Sequence, residues 1–225
     1  MIPVKVLAVR YLANASPALC QALGAPKGYP SLGMLTTDCD DATYIALDAA
    51  TKAADVQVAY GRSFYAGAAN ASTPNAGEVI GILAAQTPGA VRSGMEAALA
   101  ALERVGFEEV NGVPYLSHTV SSAGSFLAKE AGVRPGMALA YLIAPPLEGM
   151  YAMDAALKAA DVELRKLYAP PSETNFGGGL LSGTQSACDA ACAAFAAALA
   201  ELFDRYAAGG LLTVPNVTEA YLGEP

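Results

Sequence analysis

Four acidic residues in the first half of the chain are the candidates for chemistry. Asp38, Asp40 and Asp41 fall within TTDCDDATY, and Glu78 follows a long irregular stretch. Carboxylates grouped this way suit three tasks. They accept charge-assisted hydrogen bonds from a small ammonium group. They offer oxygen ligands to a hard divalent cation, for which Asp40 and Glu78 are the pair to consider. They also cap a helix or stabilise its first turn, where unpaired N–H groups and the macrodipole favour acids.

Other reactive residue types are sparse. Cys188 and Cys192 are four apart on an expected helix and share a face, which is half of a metal site at most. No second cysteine pair accompanies them and the chain has one histidine, so buried packing thiols are expected rather than structural zinc. His118, in YLSHTVSS, is expected to be structural or on the surface rather than a general base. FGGGLL lacks both GxGxxG spacing and a GK[ST] ending, so it is not a phosphate loop. With no nucleophile–base pair and no cofactor fingerprint, no catalytic residue, metal or cofactor is assigned, and an enzyme is the weakest functional class.

The elements that must position these acids come in two sets. DAATKAADVQV begins at Asp48 and DAALKAADVEL at Asp154, with eight of eleven positions identical. Self-similarity of this kind marks a duplicated architecture. Upstream, LGMLTTDCDDATYIALDAA corresponds to LAYLIAPPLEGMYAMDAA, and SPALCQALG to GSFLAKEAG, two short helices ending at glycine. Each half therefore reads as a leading strand and short helix, then strand, helix, strand, strand, helix. The pairs Asp48/Lys52 and Asp154/Lys158 have i, i+4 spacing and are expected on exposed helix faces. VQVAY and VELRKLY alternate as strands do. Gly77 aligns with Gly183, each before an alanine-rich helix. GFEEVNGVPY is expected as the connector between halves, giving units at 1–109 and 110–208 and a tail at 209–225.

The acids break this symmetry. At the aligned positions the second half has Ala144, Pro146, Leu147 and Thr184 in place of Asp38, Asp40, Asp41 and Glu78. One half thus carries carboxylates that the duplicated scaffold does not require, which favours a ligand over a purely structural role.

Composition sets the outer bounds. The chain of 225 residues is 54% hydrophobic and 15% charged, which suits a well-packed core and large buried contacts. The formal net charge of −8, without a basic cluster, argues against nucleic acid. No uninterrupted apolar stretch approaches a membrane span, and AACAAFAAALA is expected as a buried or interface helix. The N-terminal MIPVKVLAVRYLANASP has a cleavage-like ANA, but Arg10 interrupts its apolar segment, so a cytoplasmic chain is expected.

DAALKAADVEL resembles the helix-to-strand signature of bacterial microcompartment shell domains. SLGMLTTDCDDATYIALDAATKAADVQVAYGRSFYAGAANAS, AYLIAPPLEGMYAMDAALKAADVEL and PPSETNFGGGLLSGTQSACDAAC are similar, in order, to the tandem permuted shell proteins of ethanolamine-utilisation compartments. That resemblance implies an α/β (α+β) fold of two circularly permuted, ferredoxin-like domains with antiparallel-rich sheets. It implies a homotrimer with pseudo-sixfold symmetry that tiles a shell in the cytoplasm with other shell proteins and holds a central pore. It implies that Asp40 and Glu78 contact the amine of ethanolamine, with Phe107 and Ser182 shaping the pocket. On this basis the loops Tyr60 to Gly77 and Tyr168 to Gly179 are expected around the pore, with Arg62, Ser63, Tyr65, Asn70, Asn175, Phe176, Gly177 and Gly178 as lining candidates. The competing expectations are a soluble small-amine sensor that uses the same acids without assembling, and a shell protein of a different compartment.

Overall fold

A computed structural model describes residues 1–64, 79–169 and 176–209. The chain lays down one series of elements twice. The first half runs β1 (Val6–Leu12), α1 (Pro17–Ala22), β2 (Ser31–Thr37), α2 (Asp40–Ala53), β3 (Gln57–Ser63), β4 (Val79–Ala85) and α3 (Pro88–Leu102). After a short β5 (Glu108–Val110), the second half repeats it as β6 (Val113–Val120), α4 (Ser125–Ala131), β7 (Ala138–Ala144), α5 (Pro146–Ala159), β8 (Val162–Tyr168), β9 (Gly177–Gly183) and α6 (Gln185–Gly209). Each half forms an antiparallel sheet, ordered β1-β2-β4-β3 and β5-β6-β7-β9-β8. The α+β class and the element series expected from the repeat are both present.

Local chemistry explains the element ends. Ser16 caps α1 by accepting from the Leu19 N–H, with Pro17 in the first turn, and Thr87 caps α3 in the same way ahead of Pro88. α4 stops where Gly132 turns left-handed at φ 63°. β3 and β8 carry a matching irregularity, between Val58 and Tyr60 and between Leu164 and Lys166, so even the bulge is duplicated.

The segment GFEEVNGVPY, expected between the halves, folds as a hairpin: β5 and β6 pair around turn residues Asn111 and Gly112, whose φ values are 51° and 79°, as a tight two-residue turn requires. One expectation needs correction. Gly183 closes β9 just as Ala85 closes β4, so its structural counterpart is Ala85 rather than Gly77. Gly77 itself, and residues 210–225 of the expected tail, lie outside the described residues.

The second sheet is covered on both faces. Along β7, Leu139, Tyr141 and Ile143 join a core shared with Leu35, Ile45, Leu47, Met95 and Leu127, which brings residues of both halves together. Ala138, Ala140, Leu142 and Ala144 point the other way, into a core with Met153 and α6. The first sheet has a smaller third cluster, Ala15, Leu32, Ile82 and Ala84, on the face that α1 partly covers. α6 is long and apolar enough in composition to cross a bilayer. Its stripe of Cys188, Ala191, Phe195, Leu199 and Phe203 instead packs into the second core, as expected for a buried helix.

Candidate functional site

The two halves meet at a joint between helices. α2 of the first half packs against α4 of the second, and Asp48 stands at the centre of the contact with no exposed surface. Its carboxylate accepts from the Gly124 N–H at 2.7 Å and the Leu127 N–H at 2.8 Å, and Lys52 lies 3.2 Å away. The Thr51 hydroxyl accepts from the Ser125 N–H, and the Lys52 ammonium donates to the Ser122 carbonyl. The expectation of an exposed Asp48 face is therefore wrong: a helix distant in sequence covers it. Asp154 and Lys158 do form an exposed pair.

Beside this joint lies a cavity of about 1160 Å³. The first turn of α2 lines it with Asp40, Asp41 and Tyr44, and β3 with Tyr60, Arg62 and Ser63. The second half contributes Phe126 and Glu130 from α4, Tyr141 and Ile143 from β7, Lys166 and Tyr168 from β8, and Phe176.

Asp40 and Asp41 are both buried, but neither is the helix cap. Cys39 occupies the cap position without a side-chain cap bond, and the Asp40 carboxylate accepts from the Asp41 N–H. The Asp41 carboxylate accepts the Tyr141 phenol at 2.7 Å, which links α2 of one half to the sheet of the other. Burial, then the Asp41 charge, pushes the Tyr141 phenol well above its ordinary range and keeps it a donor. Its ring lies 6.1 Å from that of Tyr168, whose phenol is also raised, by burial and then by Glu130. Lys166 pairs with Glu130 and sits 5.3 Å from the Tyr168 ring centre. The wall is thus acidic at the α2 end, aromatic in the middle and ion-paired at the far side. It suits a small polar molecule with a cationic end.

The remaining candidates are distributed as follows. Phe107 packs edge-on to Phe176 with ring centres 5.8 Å apart, so it backs a wall residue of the cavity. Ser182 sits buried on β9, where its hydroxyl accepts from the Arg165 guanidinium at 2.6 Å, away from the cavity lining. Glu78, Tyr65, Asn70 and Asn175 lie outside the described residues. Arg62 and Ser63 end strand β3, and the Ser63 hydroxyl hydrogen-bonds with Tyr44. Gly177 and Gly178 belong to strand β9, not to a loop. The Gly178 φ is 151°, and a Cβ there would stand 1.9 Å from the Leu142 carbonyl oxygen. These glycines serve close strand packing.

Sequence reasoning missed Asp48, Tyr141, Glu130 and Lys166. Tyr141 carried a usable signal: its place in β2 is taken by Met34, the same kind of asymmetry that singled out Asp40. Three of the cysteines sit where a thiolate is disfavoured. Burial raises the Cys39, Cys188 and Cys192 thiols, and Cys192 accepts from the Thr119 hydroxyl. Among the described residues, no group of three or more His, Cys, Asp or Glu is arranged to hold a metal.

Comparison with known proteins gives a consistent picture. A family model described as the BMC domain matches residues 31–114. A bacterial microcompartment shell protein EutL of Clostridium perfringens is 57% identical over 88% of this chain and 94% of its own length. The EutL of Escherichia coli is 46% identical over 90% of this chain and 94% of its own. A crystal structure of EutL from Clostridium perfringens superposes with a TM-score of 0.86 at 56% identity, covering 90% of this chain and 94% of that one.

Proposed function

The chain belongs to the bacterial microcompartment shell-protein family, and we propose that it forms a trimeric tile whose central opening passes small metabolites. It is a structural shell component of the ethanolamine-utilisation type, located in the compartment shell within the cytoplasm, and its relatives are named as shell proteins rather than enzymes. The observation that carries the proposal is the identity to EutL proteins across nine-tenths of the chain, through both halves of the repeat. Two similar units per chain, taken three times, approximate a hexagonal disc, and head-to-tail contacts close such a ring. The units are taken as 1–109 and 110–208, and the partners as two further copies and other shell proteins.

Small amines are the expected passengers and ligands. The buried pair Asp40 and Asp41 gives the cavity a negative end, and carboxylates there raise the local concentration of a cation. Ethanolamine fits by its ammonium at Asp40, with Glu78, Phe107 and Ser182 as the further contacts to test. A ligand gates the pore only through unequal affinity for its open and closed states.

The test has two arms. Light scattering after size exclusion, followed by electron microscopy of sheets, reads the tile. A monomer that forms no sheets under any condition overturns it and favours the sensor alternative. Calorimetry with ethanolamine reads the ligand: Asp40→Ala is expected to bind at least ten-fold more weakly than wild type. Equal binding by the variant removes Asp40 from the site.

A further inference from the structure

Residues 2–5 tie together the two places that supply Asp40 and Phe107 to the amine pocket. We infer that this segment is a strap that positions the pocket, and that Asp38 serves a bound amine by holding the strap rather than by its charge. The role rests on the amine site proposed above.

The sequence prepares an extended strap. Pro3 restricts its own φ and keeps Ile2, before it, out of the helical region. The Ile2 N–H donates to the Phe107 carbonyl at 2.6 Å. Three residues on, Lys5 and Asp38 bond in both directions. The Lys5 N–H donates to the Asp38 carboxylate at 2.8 Å, and the Asp38 N–H donates to the Lys5 carbonyl at 3.2 Å. Val4, between the anchors, packs against the core that both halves share. Ile2 also lies so close to Gly106 that a Cβ there would stand in hard contact with the Ile2 carbonyl oxygen.

Each anchor adjoins a pocket residue. Asp38 stands two residues before Asp40, where β2 turns into α2. Phe107 follows α3 and meets Phe176, a wall residue of the cavity, edge to face at 5.8 Å. Asp38 and Phe107 are far apart along the chain, and three steps of extended backbone, about 10 Å, bridge them. Movement of either anchor is thereby passed to the other side of the pocket.

Asp38 belongs to the same acidic run as Asp40 and Asp41, yet it does not line the cavity as they do. Its carboxylate is engaged with the strap instead. The second half has no such clamp. Ala144 and Pro145 precede α5, neither carries a carboxylate, and Pro145 has no N–H to donate. The clamp occurs once per chain, in the half that carries the acids of the pocket. A need of the duplicated scaffold would be met in both halves.

Calorimetry with ethanolamine on the full chain separates positioning from charge, at about 0.5 M salt so that exposed charges act over only a few ångströms. Asp38→Ala removes the acceptor and is expected to weaken binding about five-fold or more. Asp38→Asn loses the charge but keeps an oxygen for the Lys5 N–H, and is expected to restore binding to within about two-fold of wild type. Gly106→Ala displaces the strap at its other anchor and is expected to weaken binding as Asp38→Ala does. Thermal melts check each fold, and the exposed Asp38 pair decides the matter if Gly106→Ala fails to fold. Asp38→Asn as weak as Asp38→Ala makes the carboxylate an electrostatic contact and overturns the strap. Asp38→Ala binding like wild type overturns it too. Both outcomes leave the amine site standing. A wild type that binds no ethanolamine overturns that site, and the role of the strap with it.

Discussion

The Asp48 carboxylate of the first half receives the Gly124 N–H of the second at 2.7 Å, with no solvent between them. Its repeat partner Asp154 carries the same side chain on an exposed helix face. One residue type at equivalent places thus does two jobs, fixed by whether the other half of the chain covers it. A buried carboxylate holding two N–H donors stabilises the joint only while it keeps both acceptors and its charge.

Asp48→Asn keeps the volume but loses the charge and one acceptor, stranding a backbone donor at the joint. The expected loss is about 1–3 kcal/mol of unfolding free energy. Asp154→Asn, in contact with solvent, is expected to lose much less. Urea unfolding of the two variants side by side checks this, and equal losses would show that Asp48 does not hold the halves together.

How far the sequence disclosed this architecture depended on the range of the contacts involved. The order of elements was legible because each rests on local signals: Ser16 and Pro17 at α1, Gly132 at α4, and the alternation of VELRKLY, which is β8 to the residue. The acids of the cavity were legible because the repeat supplies an internal control that lacks them. Asp48 was not, because i, i+4 spacing with Lys52 describes an exposed pair and a buried one equally well. Only the approach of α4 decides between them. Glycines 177–179 misled for a related reason. A run of glycine permits mobility, yet here it lets β9 lie between β7 and β8 at distances no Cβ tolerates.

Gly178→Ala tests that last point. The added carbon would meet the Leu142 carbonyl oxygen at 1.9 Å, and the backbone would be held at a φ that side chains avoid. Gly136, at φ 92° with nothing within 4 Å, isolates the backbone effect alone. Gly136→Ala is expected to lose about 1 kcal/mol and Gly178→Ala about 3 kcal/mol or more, or to fail to fold. Similar melting temperatures for the two would mean that β9 shifts freely and that its glycines serve some purpose other than strand packing.

Acid sensitivity should centre on His118. Burial, then the nearby Lys52 charge, holds its imidazole below the ordinary value of 6.5. Below that value the unfolded chain takes up a proton that the folded chain refuses. The unfolded state binds more protons in this window, so stability rises with pH across it and falls as the pH drops toward the folded value. One such proton sets a slope of at most about 1.4 kcal/mol per pH unit. Lys52 also donates to the Ser122 carbonyl at the joint, so protonating His118 places a second cation beside a contact between the halves. His118→Gln removes the titration and is expected to flatten the loss of stability between about pH 7 and the folded value, measured by urea midpoints across that range. A variant that loses stability as steeply as wild type would move the acid sensitivity to another group.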